Sequence, residues 1–187
     1  ARDLYQRVRD ELGKPILLSE FGADAYDAAR GREDAVVQGS YLHDQWRELY
    51  EQAYGKGGAG TSLGGYTFQW ADGWWKYLQE ENLDVHDNNA SWPNGGYVED
   101  YVEGQNNMNE EWFGICAKTP PDSTGFYELQ CHPAYYVLQR AHELDATDPN
   151  LTVDDIQAHF STFASDEFDS LYAASRSVAD LEEMKKA

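Results

Sequence analysis

The sequence predicts an α/β fold built on parallel strands. Helical and strand-like patterns alternate through most of the chain, in the order helix, strand, helix, strand, long loop, helix. Pro15-Ile16-Leu17-Leu18-Ser19 is an apolar run of strand length with no alternation, the pattern of a parallel strand buried on both faces. Apolar residues at helical spacing flank each strand.

Leu4, Val8 and Leu12 recur at helical spacing, and Gly13 follows at a C-cap position, so a short amphipathic helix opens the chain. The apolar run comes next, with Glu20 at its C-terminal end and Phe21-Gly22-Ala23-Asp24 turning away. A helix is expected from about Glu33 to Ala53, with Leu42, Trp46, Leu49, Tyr50 and Ala53 as its stripe. Residues 55–60 are glycine-rich but follow a helix and lack the Lys-Ser/Thr ending of a phosphate loop, so they read as a linker. A second strand is expected from Gly64 to about Trp70. The segment 71–110 is dense in Asp, Asn, Gly and Trp, and loops of that length are uncommon unless functional.

Trp112 to Ile115 reads as a short extended piece, and Pro133 as the first residue of a helix whose inner face is Val137, Leu138, Ala141 and Leu144. These elements make one unit, residues 1–145. Residues 146–187 form an acidic helical tail, where Thr152 and Asp155 resemble a capping box and a further helix starts near Ser165.

The chain carries 34 acidic and 14 basic residues, a net charge of −20, which excludes nucleic acid and anionic membrane surfaces as partners. No apolar run approaches the roughly 18 residues of a membrane-spanning helix. The acidic surface suits a secreted or extracytoplasmic setting. Aromatics make up 14% of the chain, enough to supply stacking walls as well as a core. Cys116 and Cys131 bracket a loop containing Pro120-Pro121. A bridge closing about 15 residues would contribute roughly 3 kcal/mol in the chain-entropy model; two buried thiols are the alternative. Neither has metal-ligand spacing.

Two places carry chemistry. Glu20 stands at the end of a parallel strand, where the active sites of α/β barrels lie. The second strand runs into Trp70-Ala71-Asp72-Gly73-Trp74-Trp75-Lys76, which mixes three Trp with charges, the composition of a sugar platform. His86 and Asp87 are candidates to line the same cleft. Residues 86–93 have oxygen donors for a hard cation but not an EF-hand spacing, and turn formation explains the same composition, so no metal and no cofactor are expected.

In Ser19-Glu20-Phe21-Gly22, followed by a strand ending at Trp70, the chain resembles the retaining glycoside hydrolases of clan A. The likeness is to family 2 barrels and β-1,3-glucanosyltransferases, and it extends over roughly Leu4 to Leu144. Residues 110–115 and Pro133-Ala134-Tyr135-Tyr136 are similar to the segments beyond the eighth strand there. The resemblance implies that residues 1–145 are the last two βα units of a (β/α)8 TIM barrel. It also implies a retaining β-glycosidase or transglycosidase acting on an oligo- or polysaccharide, with Glu20 as nucleophile. Trp70, Asp72, Trp74, Trp75, His86 and Glu111 would be its substrate-binding residues. Retention requires a second carboxyl about 5–5.5 Å from the first; the family places it upstream of the nucleophile, whereas the Asn109-Glu110 pair here lies downstream. The acid/base and the rest of the barrel would then come from an upstream segment or partner chain, and this chain alone would be inactive. A carbohydrate-binding module without chemistry and an acidic interaction module are the other readings.

Overall fold

The computed structural model describes residues 2–27, 32–73, 109–119 and 121–178. Helix α1 (Arg2–Arg7) runs into a π-helical turn (Val8–Leu12), ended by Gly13 in the left-handed region at φ 58°, where an L side chain is strained. The π turn changes the helical period, and the expected stripe does not form. Leu4 and Leu12 are exposed, and Tyr5 is the buried residue of this segment.

Strand β1 (Ile16–Phe21) follows, then the short antiparallel pair β2 (Tyr26–Asp27) and β3 (Arg32–Glu33). Asp34 caps helix α2 (Ala35–Glu51) by accepting a hydrogen bond from the Val37 N–H at 3.2 Å. The helix falls within the expected span, and Leu42, Trp46, Leu49 and Tyr50 are buried along it. Strand β4 (Ser62–Thr67) lies parallel to β1, pairing Ile16 with Ser62, Leu18 with Gly65 and Phe21 with Thr67. Gly65 permits that approach: a Cβ there would stand 2.8 Å from the Phe21 ring and 3.0 Å from the Leu18 carbonyl oxygen.

Residues 110–112 form a 3-10 turn (Glu110–Trp112), not the start of an extended piece. Extended backbone begins after it. The N–H groups of Ile115 and Cys116 donate to the carbonyls of Gln69 and Trp70, at 2.9 and 3.1 Å. Strands β5 (Cys116–Lys118) and β6 (Leu129–Cys131) pair antiparallel. Helix α3 (Pro133–Ala141) starts at Pro133 as expected and packs against α2. A Cβ on Gly39 would lie 3.1 Å from the Pro133 Cβ, so the two helices cross closely. The capping box of helix α4 (Val153–Ser161) is present in full, with Thr152 and Asp155 bonding each other's backbone N–H. Helix α5 (Ser165–Val178) ends the described chain.

Two apolar clusters hold these elements. One joins Tyr5, Trp46, Leu49, Tyr50, Ala141, Ile156 and Phe160; the other joins Leu42, Ile115, Cys116, Ala134, Val137 and Phe168. Helix α4 feeds the first and α5 the second.

The α/β class stands, but the barrel does not. The described residues form three separate two-stranded sheets, β1–β4, β2–β3 and β5–β6, and none closes on itself. A barrel requires every strand to be hydrogen-bonded on both sides, whereas β1 and β4 have one strand neighbour each among the described residues. The apolar run is also not covered on both faces. Ile16, Leu18 and Phe21 pack toward the first cluster, while Leu17 is 51% exposed, and Leu63 and Tyr66 on β4 are exposed beside it.

Candidate functional site

Thr67 ends β4, and the next residues set an aromatic platform on the surface. Gln69 is held by two backbone bonds: its N–H donates to the Phe113 carbonyl at 3.0 Å, and its carbonyl accepts from Ile115. Trp70 is tied through its carbonyl to the Cys116 N–H. Its backbone is therefore fixed while its side chain remains 60% exposed. The indole meets Tyr135 of α3 edge-on, with ring centroids 6.0 Å apart.

Between β4 and α3 lies a hollow of about 500 Å³, walled by Tyr66, Trp70, Tyr135, Gln69, Gln139 and His142, with Trp46 at its base. Trp46 Nε1 donates to Thr67 Oγ1 at 3.0 Å. Burial lowers the His142 pKa from its ordinary value, and its ring stands edge-on to Trp46 at 4.6 Å. A larger hollow of about 770 Å³ adjoins it through Tyr66. Leu17, Leu63, Tyr54 and a glycine-containing stretch of β4 make its wall largely apolar.

The expected site residues divide into distinct places. Glu20 is exposed on β1 and lines neither hollow. Trp70 lines the smaller one. Asp72 is buried; its Oδ1 accepts from the Gly114 N–H at 2.9 Å. Burial pushes its carboxyl well above the usual range, against the pull of the Gly114 hydrogen bond and Lys118, and the Glu111 charge adds to the rise. Glu111 is fully buried, and its carbonyl accepts from the Gly73 N–H at 3.1 Å. Asn109 is fully buried too, its N–H donating to Asp24 Oδ2 at 3.1 Å. Trp74, Trp75 and His86 lie outside the described residues, as do Lys76, Asp87 and the stretch 86–93. Cys116 and Cys131 face each other across β5–β6.

A buried polar knot went unread in the sequence. Gln38 Nε2 donates to the carbonyls of Ala23 and Gly114 at 3.1 and 3.0 Å, while its Oε1 lies 3.0 Å from His132 Nδ1. The same Nδ1 is 2.9 Å from the Gly114 carbonyl. Two oxygen acceptors there place the ring proton on Nδ1. Nε2 lies 3.2 Å from Glu33 Oε1, which favours the imidazolium, but the ring is fully buried and burial prevails. The His132 pKa is lowered to about 4, with the Gly114 carbonyl opposing the shift. The signal available was Gln38 itself, a polar residue on the inward side of α2 near Ala35 and Leu42.

This geometry overturns the expected glycosidase. Retaining chemistry needs two carboxyl groups facing one cavity. Among the described residues no carboxyl side chain lines either hollow, and Asp72 and Glu111 are buried inside the fold. Nor do His, Cys, Asp and Glu side chains gather into a metal-holding group among the described residues. Comparison of the chain with protein-family models, curated proteins and solved structures finds no match. The expected membership of the clan A glycoside hydrolases is not upheld. The fold and the site define an α/β protein of small open sheets with an aromatic hollow on its surface.

Proposed function

We propose that the chain binds carbohydrate without transforming it, using Trp70 as a stacking face. The observation that carries this reading is the 60% exposure of an indole whose backbone is fixed on both sides. A large apolar ring is costly to leave in water, and a sugar's C–H face is the kind of surface that covers one while its hydroxyls stay wet. Gln69, Gln139 and His142 stand around it to meet those hydroxyls. Titration calorimetry against a panel of neutral oligosaccharides tests the reading. Trp70→Ala should weaken binding at least tenfold while leaving the melting temperature nearly unchanged. If no oligosaccharide binds the parent chain, or if the variant binds as well as the parent, the reading fails.

A second reading is favoured by a different observation. Parallel sheets ordinarily have both faces covered, yet Leu17, Leu63 and Tyr66 leave one face of β1–β4 apolar and exposed. We propose on that ground that this face is covered by another polypeptide segment, either upstream of Ala1 or in a partner chain. Cross-linking from Leu63→Cys in a native preparation, followed by mass spectrometry, would identify the segment; recovery of uncross-linked chain alone would dismiss it.

A further inference from the structure

We propose that Cys116 and Cys131 form a reversible intrachain disulfide that clasps the β5–β6 pair beneath the Trp70 platform. The two cysteines are direct register partners in the antiparallel ladder. The type of pair follows from the backbone. The Cys116 N–H donates to the Trp70 carbonyl, and the Cys116 carbonyl accepts from the Asp72 N–H, both at 3.1 Å. Both polar groups of Cys116 are thus turned away from β6, toward residues 70–72. One residue earlier, the His132 N–H donates to the Ile115 carbonyl at 2.9 Å, while the Ile115 N–H turns to the Gln69 carbonyl. Cys116 and Cys131 are therefore a non-hydrogen-bonded pair, the closer of the two antiparallel types, for which a Cα separation of about 4.5 Å is typical. That lies within the reach of a disulfide without backbone movement.

The thiols differ in access, which sets the order of events. Cys116 is buried at 2% exposure, and burial together with the neighbouring Cys131 and Asp72 pushes its thiol up to about 12. Cys131 is partly exposed and is the entry point. The Cys131 thiolate attacks a small-molecule disulfide such as oxidised glutathione, forming a mixed disulfide and releasing one small thiolate. Cys116 then gives its proton to water, and its sulfur attacks Cys131 Sγ and expels the second small thiolate. Two protein thiols are oxidised and one external disulfide is reduced to two thiols. The bridge joins β6 to the strand whose backbone holds Trp70.

The test is intact mass and thiol counting on the native full chain, equilibrated in glutathione buffers of increasing oxidised fraction. Both thiols should disappear together, with loss of two hydrogens and no added glutathione. In Cys116→Ser the reaction should stop at a glutathione adduct on Cys131, and Cys131→Ser should resist the reagent while folded. Persistence of both thiols in oxidised glutathione, a stable adduct on the parent chain, or disulfide-linked dimers on a non-reducing gel would each overturn the proposal.

Discussion

The face of the β1–β4 sheet and the interior beside it invert the usual distribution of polarity. On the sheet, Leu17, Leu63 and Tyr66 are apolar and exposed. Inside, Gln38, His132, Asn109 and Glu111 are polar and fully buried. An exposed apolar side chain loses little when replaced, because it gains little from folding. A buried polar group gains through specific partners, and removing one strands the others. The stability of this chain should therefore be far more sensitive at its polar interior than on its apolar surface.

The sharpest form of that contrast is Gln38→Ala. It removes the donor to Ala23 and Gly114 and the acceptor facing His132. Buried partners left unpaired should destabilise the fold on the order of 3 kcal/mol or more. Urea unfolding measures this, and a loss below about 1 kcal/mol would mean that water replaces the amide without penalty.

A smaller effect is expected with pH. The folded chain holds His132 near 4, below the ordinary 6.5, so it resists a proton that the unfolded chain accepts. The stability from the neutral ring is present above about pH 6.5 and declines as pH falls toward 4, by at most about 1.4 kcal/mol per pH unit. Asp72 has a raised pKa and acts in the opposite sense, since protonating it relieves a buried charge. The informative quantity is thus the difference between the parent and His132→Asn, which keeps a donor near the Nδ1 position. The variant's melting temperature should fall less steeply between pH 6.5 and 4; parallel curves would rule His132 out as the titrating group.

The smallest effect belongs to the sheet. Leu63→Thr should change the unfolding free energy of the isolated chain by no more than about 0.5 kcal/mol. A loss of 2 kcal/mol would show that this face is already covered in solution and that its exposure is not retained there.

Legibility in the sequence tracks the range of the forces involved. Helix α2, Pro133 at the start of α3 and the capping box at Thr152 were legible because each is settled within a turn or two of its own residues. Strands β1 and β4 were legible as segments, and their parallel pairing as a pattern; the antiparallel pairs β2–β3 and β5–β6 were not, because their short strands carry no apolar run. How many strands join a sheet depends on contacts between distant residues, which a local apolar run does not encode; Pro15–Ser19 reads alike at the centre of a barrel and in an open pair. The burial of Tyr5 in place of Leu4 was invisible for a related reason, since it is set by a cluster with distant residues such as Trp46 and Phe160. At the site, Trp70 could be singled out by its neighbours in sequence. The burial of Asp72 and Glu111 could not, because it depends on residues 113–116 running beside 69–72.

Helix α2 also sets a timetable for the chain as it is made. Its apolar stripe is covered chiefly by α3 and α4, which come after β4, the Glu110–Trp112 turn and both strands of the β5–β6 pair. At about 5–20 residues per second, synthesis leaves Leu42, Trp46 and Leu49 waiting several seconds for those helices. Throughout that interval the nascent chain presents an amphipathic helix with no lid, a natural target for a ribosome-associated chaperone. Ribosome-bound chains halted before Pro133 should accordingly retain chaperone that chains halted well beyond Ser161 release.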